Sequence, residues 1–218
     1  MIVNGKDIVK GIQPVQIMLH LMASFVSLLD FVNLQCSLDY AGGPELEQQC
    51  QEYIRRHGSL SCGEVFTSCS GRLPCKAVVH TVGPVWHNGT SNEDRDLEKA
   101  VRGALEACQK YRTVALPALS CGIYGFPPDL AAKITLREIR DFVTNDSSSL
   151  ERVDVVVLKK DVISEFQKAL AATFGTEKVS NLSWMSASPA ADSGCNYFCA
   201  NNNNNNDRLT AFDPGQPG

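Results

Sequence analysis

The chain alternates between two kinds of apolar pattern, and this alternation constrains its fold more than any other feature. Lys76–Val82 (KAVVHTV), Thr113–Leu119 (TVALPAL) and Val153–Leu158 (VDVVVL) are short apolar runs rich in β-branched residues, the composition of buried strands. Helical patterns lie between and after them. Ser91–Lys110 opens with Ser91 as the expected cap, places Glu93, Asp94 and Asp96 in its first turn, and repeats Leu97, Val101, Leu105 and Cys108 at helical spacing. Pro128–Val143 turns Leu130, Ile134 and Phe142 inward, and Asp161–Phe174 aligns Val162, Phe166 and Leu170 before Gly175 stops it. Upstream, Pro44–His57 reads as a helix with Leu46, Cys50, Tyr53 and Ile54 on one face, and Gly63–Ser68 as a short strand. Strands alternating with helices predict an α/β layer fold with a mixed, largely parallel central sheet. Ligands in such folds sit at the carboxyl ends of the strands.

One strand end carries an unusual loop. TVALPAL runs into Ser120-Cys121-Gly122-Ile123-Tyr124-Gly125-Phe126, and Pro127-Pro128-Asp129 then opens the next helix. Backbone N–H groups reach an anion only where side chains do not crowd it, and a helix start adds unpaired N–H groups of its own. The loop therefore reads as a phosphate cradle. The alternative is that its glycines and prolines only turn the chain.

Composition narrows the partners. The 218 residues are 44% hydrophobic and 20% charged, with a formal net charge of −4 and no basic stripe. That argues against nucleic acid or an anionic membrane surface as a partner, since both call for clustered Lys and Arg. Phosphate binding must then come from the main chain. Nine cysteines at irregular spacing, without a C-x-x-C pair, argue against a metal site and for reduced thiols. The N-terminus lacks the form of a signal peptide. The apolar run Ile17–Leu29 is broken by His20, closed by Asp30, and shorter than the roughly 20 residues of a spanning helix. It reads as a buried helix, with a membrane anchor as the alternative. Residues 179–218, Asn-rich and Gly/Pro-rich, read as a disordered tail after a domain of residues 1–178.

Several pieces now stand in one order: Asp7-Ile8 after Gly5, Val32-Asn33, Ala41-Gly42-Gly43, GEVFTS, VVHTVGPVW (Val78–Trp86) and PALSCGIYGFP (Pro117–Pro127). This order and these residues resemble the macrodomain family, with the best match to the macrodomains of the macro-type poly(ADP-ribose) polymerases. The resemblance runs from about Asp39 to Phe174. It implies a three-layer α/β/α sandwich that binds ADP-ribose as its ligand, with no cofactor and no metal. Carried over by position, Asp7 accepts from the adenine amino group with Ile8 beside it. Ser120, Cys121, Gly122, Ile123, Tyr124, Gly125 and Phe126 form the loop whose N–H groups wrap the diphosphate. Tyr124 also covers the distal ribose, and Asn33 lies near it. On the residues alone, Asp7 can equally cap a turn, Tyr124 can belong to the core, and His80 reads as a satisfied core histidine rather than an acid or base. Cys121, near a helix start, also has a reading as an oxidation-sensitive thiol. Partners implied by the family are ADP-ribosylated proteins and free ADP-ribose, met by a monomeric domain in the nucleus and cytoplasm.

The N-terminal third, residues 13–43, departs from the family pattern. Gln13–Asp30 looks inserted, and Ala41-Gly42-Gly43 runs directly into Pro44-Glu45-Leu46, so one glycine pair and the helix after it are missing. Cys36 stands where a second asparagine is expected. An inserted segment together with a skipped one accounts for both breaks. A general base must lie within hydrogen-bond reach of its water, and no complete set can be placed here, so no catalytic residue is assigned. The sequence therefore points first to a binding module that is not an enzyme. The alternatives are an ADP-ribosyl hydrolase acting on acidic side chains, and a macrodomain whose binding the deletion abolishes.

Overall fold

The computed structural model describes residues 2–4, 42–144, 149–157, 159–175, 185–186 and 196–201. In chain order the elements are β1 (Ile2–Asn4), α1 (Pro44–His57), β2 (Val65–Ser68), β3 (Ala77–Thr81), α2 (Glu93–Cys108), β4 (Thr113–Pro117), α3 (Pro128–Val143), β5 (Arg152–Val157), α4 (Lys160–Phe174), β6 (Met185–Ser186) and β7 (Asn196–Asn201). Each strand and helix expected between Pro44 and Phe174 is present, with ends shifted by at most two residues.

The described strands form one mixed sheet in the order β2-β3-β1-β4-β5-β7-β6. Parallel pairing is confined to β4 and β5, with Val114 opposite Val153 and Leu116 opposite Val155, joined through α3 as a parallel crossover requires. β2 and β3 pair antiparallel, Phe66 opposite His80, and β1 lies antiparallel between β3 and β4. Among the described strands the sheet is thus mixed, as expected, with one parallel pair. No helix separates β2 from β3, and the partner of β4 on its other side comes from the start of the chain.

Val114, Ala115 and Leu116 in β4, and Val153, Val155, Val156 and Val157 in β5, are all buried. Successive strand residues point to opposite faces, so burial of consecutive residues means that both faces are covered. α2, α3 and α4 supply much of the cover through Leu97, Val101, Leu105, Leu136, Ile139, Phe166 and Leu170. α3 packs against both of its helical neighbours. Each of these larger side chains contributes about 1.5–3 kcal/mol by leaving water. α1 is held more loosely. Leu46 is buried, but Ile54, expected on the same inward face, is 54% exposed; α1 meets the sheet chiefly at β2, where the Tyr53 ring stacks on Phe66 at 4.2 Å.

One local expectation is corrected. The cap of α2 is Asn92, in a left-handed conformation with φ 60°, not Ser91. Ser91 instead donates its N–H to the Glu93 carboxylate at 2.7 Å, and His87 does the same at 2.8 Å. The carboxylate at the helix start gathers the N–H groups of the incoming chain, and the Ser91 hydroxyl is not used. Beyond residue 178, the described segments β6 and β7 extend the sheet. Six residue pairs join β7 to β5, from Arg152 opposite Asn201 to Val157 opposite Asn196. The physical reason is the edge of β5, whose unpaired main-chain groups accept any extended segment whatever its side-chain pattern.

Candidate functional site

The loop after β4 gathers the parts expected of an anion site. β4 ends at Pro117, and Ser120 takes the left-handed region with φ 61°, as Gly125 does with φ 66°. Phe126 N–H donates to the Ser120 carbonyl at 3.1 Å and Gly125 N–H to the Gly122 carbonyl at 3.1 Å, closing the loop on itself. Cys121 N–H donates to the Ala118 carbonyl at 3.4 Å. The N–H groups of Gly122, Ile123 and Tyr124 have no partner among the described residues. They lie in one run, half-buried to exposed, directly before the start of α3 at Pro128. Successive unpaired N–H groups ahead of a helix N-terminus form a cradle for an anion.

A second segment braces this loop. Trp86 N–H donates to the Tyr124 carbonyl at 2.8 Å, and the Trp86 ring meets the buried Phe126 ring edge-on at 4.8 Å between centroids. Gly83 lies against Ser120. Gly83 and Trp86 were absent from the site residues read from the sequence. Their signal was Val78–Trp86 itself, a strand that ends in Gly83-Pro84 at the same edge of the sheet. Phe126 is 1% exposed and acts as the anchor of the loop rather than as a ligand contact.

The remaining expected residues divide. Ser120, Cys121, Gly122, Ile123, Tyr124, Gly125 and Phe126 come together in one loop; Asp7, Ile8 and Asn33 lie outside the described residues, as does the run Ile17–Leu29. Among the described residues no helix is long and apolar enough to cross a membrane. Burial, with Asp161 beside it and Lys159 opposing, pushes the Cys121 thiol up to about 12. It stays protonated at neutral pH, against its reading as an oxidation-sensitive thiol. His80 is largely buried and stacks on Phe66 at 5.5 Å, with Nε2 2.9 Å from the Ser68 hydroxyl. Ser68 in turn donates to the Cys69 carbonyl at 3.0 Å. The histidine is satisfied within the core. A cavity of about 490 Å³ beside α1, bordered by Glu52, Tyr53, Arg56 and Phe66, shares no residue with the loop.

Comparison with known proteins gives this loop a family. The Macro domain family model matches residues 34–135. A protein of Klebsiella pneumoniae named O-acetyl-ADP-ribose deacetylase is 33% identical over 174 residues, covering 79% of this chain and 99% of that protein. A protein of the same name from Escherichia fergusonii is 40% identical over 120 residues, 54% of this chain and 68% of its own. Among solved structures, the Oceanobacillus iheyensis macrodomain with ADP is 32% identical with a TM-score of 0.57, covering 64% of this chain and 75% of that one. The Trypanosoma brucei macrodomain in complex with ADP-ribose is 25% identical with a TM-score of 0.55, over 63% of this chain and 56% of its own. The chain belongs to the macro domain family.

These relatives overturn one expectation. The sequence leaned toward a module that is not an enzyme, yet the relatives are named as deacetylases, one of them aligned over nearly its whole length. The leaning rested on the shortened glycine segment before Pro44, the lost second asparagine at Cys36 and the lack of a complete water-activating set, all in the N-terminal third. Similarity that continues through that region outweighs them. The relatives establish the family, not its polymerase branch.

Proposed function

We propose that this chain binds ADP-ribose through the loop Ser120–Phe126 and hydrolyses a carboxylic ester of its distal ribose, of the O-acetyl-ADP-ribose kind. The observation that carries the reading is the run of three N–H groups, Gly122, Ile123 and Tyr124, without a partner among the described residues in the loop that leads into α3. Its chemistry is electrostatic. Fixed N–H dipoles meet the diphosphate without reorganising, which suits a chain of net charge −4 with no basic stripe. Tyr124, half-buried in the same loop, is assigned to cover a sugar face. Ester hydrolysis adds water across the acyl–oxygen bond and yields a carboxylic acid and the free ribose hydroxyl. No side chain is assigned to activate that water.

The same chemistry extends to ADP-ribose esterified to an aspartate or glutamate of a protein. A specific observation favours including it: Val85 and Ile123, 46% and 49% exposed, project from the two segments that the Trp86–Tyr124 hydrogen bond joins. An apolar rim beside a nucleotide site suits contact with a protein surface. The resemblance of HTVGPVW and SCGIYGFP to the macrodomains of macro-type poly(ADP-ribose) polymerases supports the same substrate class.

The test has two arms. Calorimetric titration with ADP-ribose, with AMP as control, is expected to give micromolar binding, about −8 kcal/mol, and much weaker AMP binding. Incubation with O-acetyl-ADP-ribose, followed by chromatography, is expected to release ADP-ribose and acetate faster than buffer does. Binding without turnover would remove the hydrolase half of the proposal, and absence of binding by the folded chain would remove both.

A further inference from the structure

We infer that Gly83, in the braced segment and outside the loop, is a positioning residue for the diphosphate loop, acting through the Ser120 hydroxyl. This rests on the reading of Ser120–Phe126 as the ligand loop. Ser120 is the hinge of that loop. It is the first residue after the strand end to leave ordinary backbone space, with φ 61°, a conformation in which a side chain is rarely at ease. Its carbonyl accepts from Phe126 N–H, so its orientation sets the closure of the loop and the direction of the N–H groups between. Its side chain is 3% exposed, and the hydroxyl has no hydrogen-bond partner among the described residues.

What the hydroxyl has instead is space, supplied by Gly83. A Cβ at position 83 would stand 2.3 Å from Ser120 Oγ, a separation real atoms do not reach, while it would sit 3.6 Å from Ser120 Cβ and 3.7 Å from Ser120 N, both ordinary contacts. The clash is therefore with one atom, the hydroxyl oxygen. That oxygen is itself buried, so any swing aside is into closely packed surroundings. φ at Gly83 is not in the left-handed region, so conformational freedom does not explain the glycine. The missing side chain does. Any larger residue at 83 must displace the Ser120 hydroxyl, and where the packed surroundings block its rotation the displacement passes to the backbone that aims Gly122, Ile123 and Tyr124.

This predicts a specific rescue. Gly83→Ala is expected to weaken ADP-ribose binding at least about tenfold. Adding Ser120→Ala removes the clashing oxygen and leaves Cβ at its ordinary distance. The double variant is expected to recover to within about threefold of the parent, as contacting residues couple rather than add. The parent chain, both single variants and the double variant would be compared by calorimetry and by amide NMR shifts of Gly122, Ile123 and Tyr124. Shifts that move in Gly83→Ala and return in the double variant support the inference even if the parent binds no ADP-ribose, a result that would defeat the ligand reading alone. Parent-like shifts and affinity in Gly83→Ala, showing that the hydroxyl simply rotates away, would overturn it. So would a defect, whether in folding or in binding, that Ser120→Ala does not relieve.

Discussion

Gly122 has no side chain between its N–H and the space before α3, and this defines the most direct test of the loop. Gly122→Glu places a carboxylate where an anion is to be held. ADP-ribose affinity is expected to fall at least about a hundredfold, close to 3 kcal/mol, measured by calorimetry with the melting temperature as a check on folding. His80 makes a different prediction. Burial pushes its pKa down from 6.5 to about 4, so folding favours the neutral ring. The stabilisation is complete above pH 6.5 and is lost as pH falls toward 4, up to about 3 kcal/mol in all. Urea unfolding at pH 7 and pH 4.5 should show this loss, and His80→Gln should flatten the difference. An unchanged slope in the variant would assign the acid sensitivity to other groups. Both residues were visible in the sequence. The satisfied state of His80 was expected from its strand, but its partner Ser68 was not, since twelve residues separate them.

At the scale of elements, the seam between α2 and α3 joins apolar packing to charge. Glu138 on α3 is buried, with Oε2 2.6 Å from Arg102 Nη2 on α2, while Arg137 pairs with Glu98 across the same seam. Arg102→Ala leaves a buried carboxylate without its main partner and is expected to cost about 1–3 kcal/mol, read as a lower urea midpoint with an unchanged slope. The amphipathic stripes of both helices identified the apolar part of this seam. The ion pairs were not legible, because Glu98 and Arg137 face each other only once the two helices are packed. The β5 edge gives a second test. Because β7 covers it, a chain ending at residue 178 is expected to exchange its β5 amide protons faster than the full chain, by hydrogen-exchange NMR. Equal protection in the two would mean that β7 does not contribute to the fold in solution.

For the whole molecule, the two segments that resemble the family lie far apart in sequence and adjacent in space, tied by the Trp86–Tyr124 hydrogen bond and the Trp86–Phe126 ring contact. That adjacency makes one site from two motifs. The sequence by itself determined the strands and helices between Pro44 and Phe174, the layered class and the position of the Ser120–Phe126 loop. These follow from local periods and from glycine and proline placement, which neighbouring residues enforce. The tertiary structure alone decided the strand order, the narrow extent of parallel pairing, the recruitment of β7 and the contact of Gly83 with Ser120. Each of these depends on which distant segments share a sheet edge or a packed volume. Hydrogen bonding along a strand edge is indifferent to side-chain identity, and steric exclusion at 2.3 Å exists only after the chain has folded.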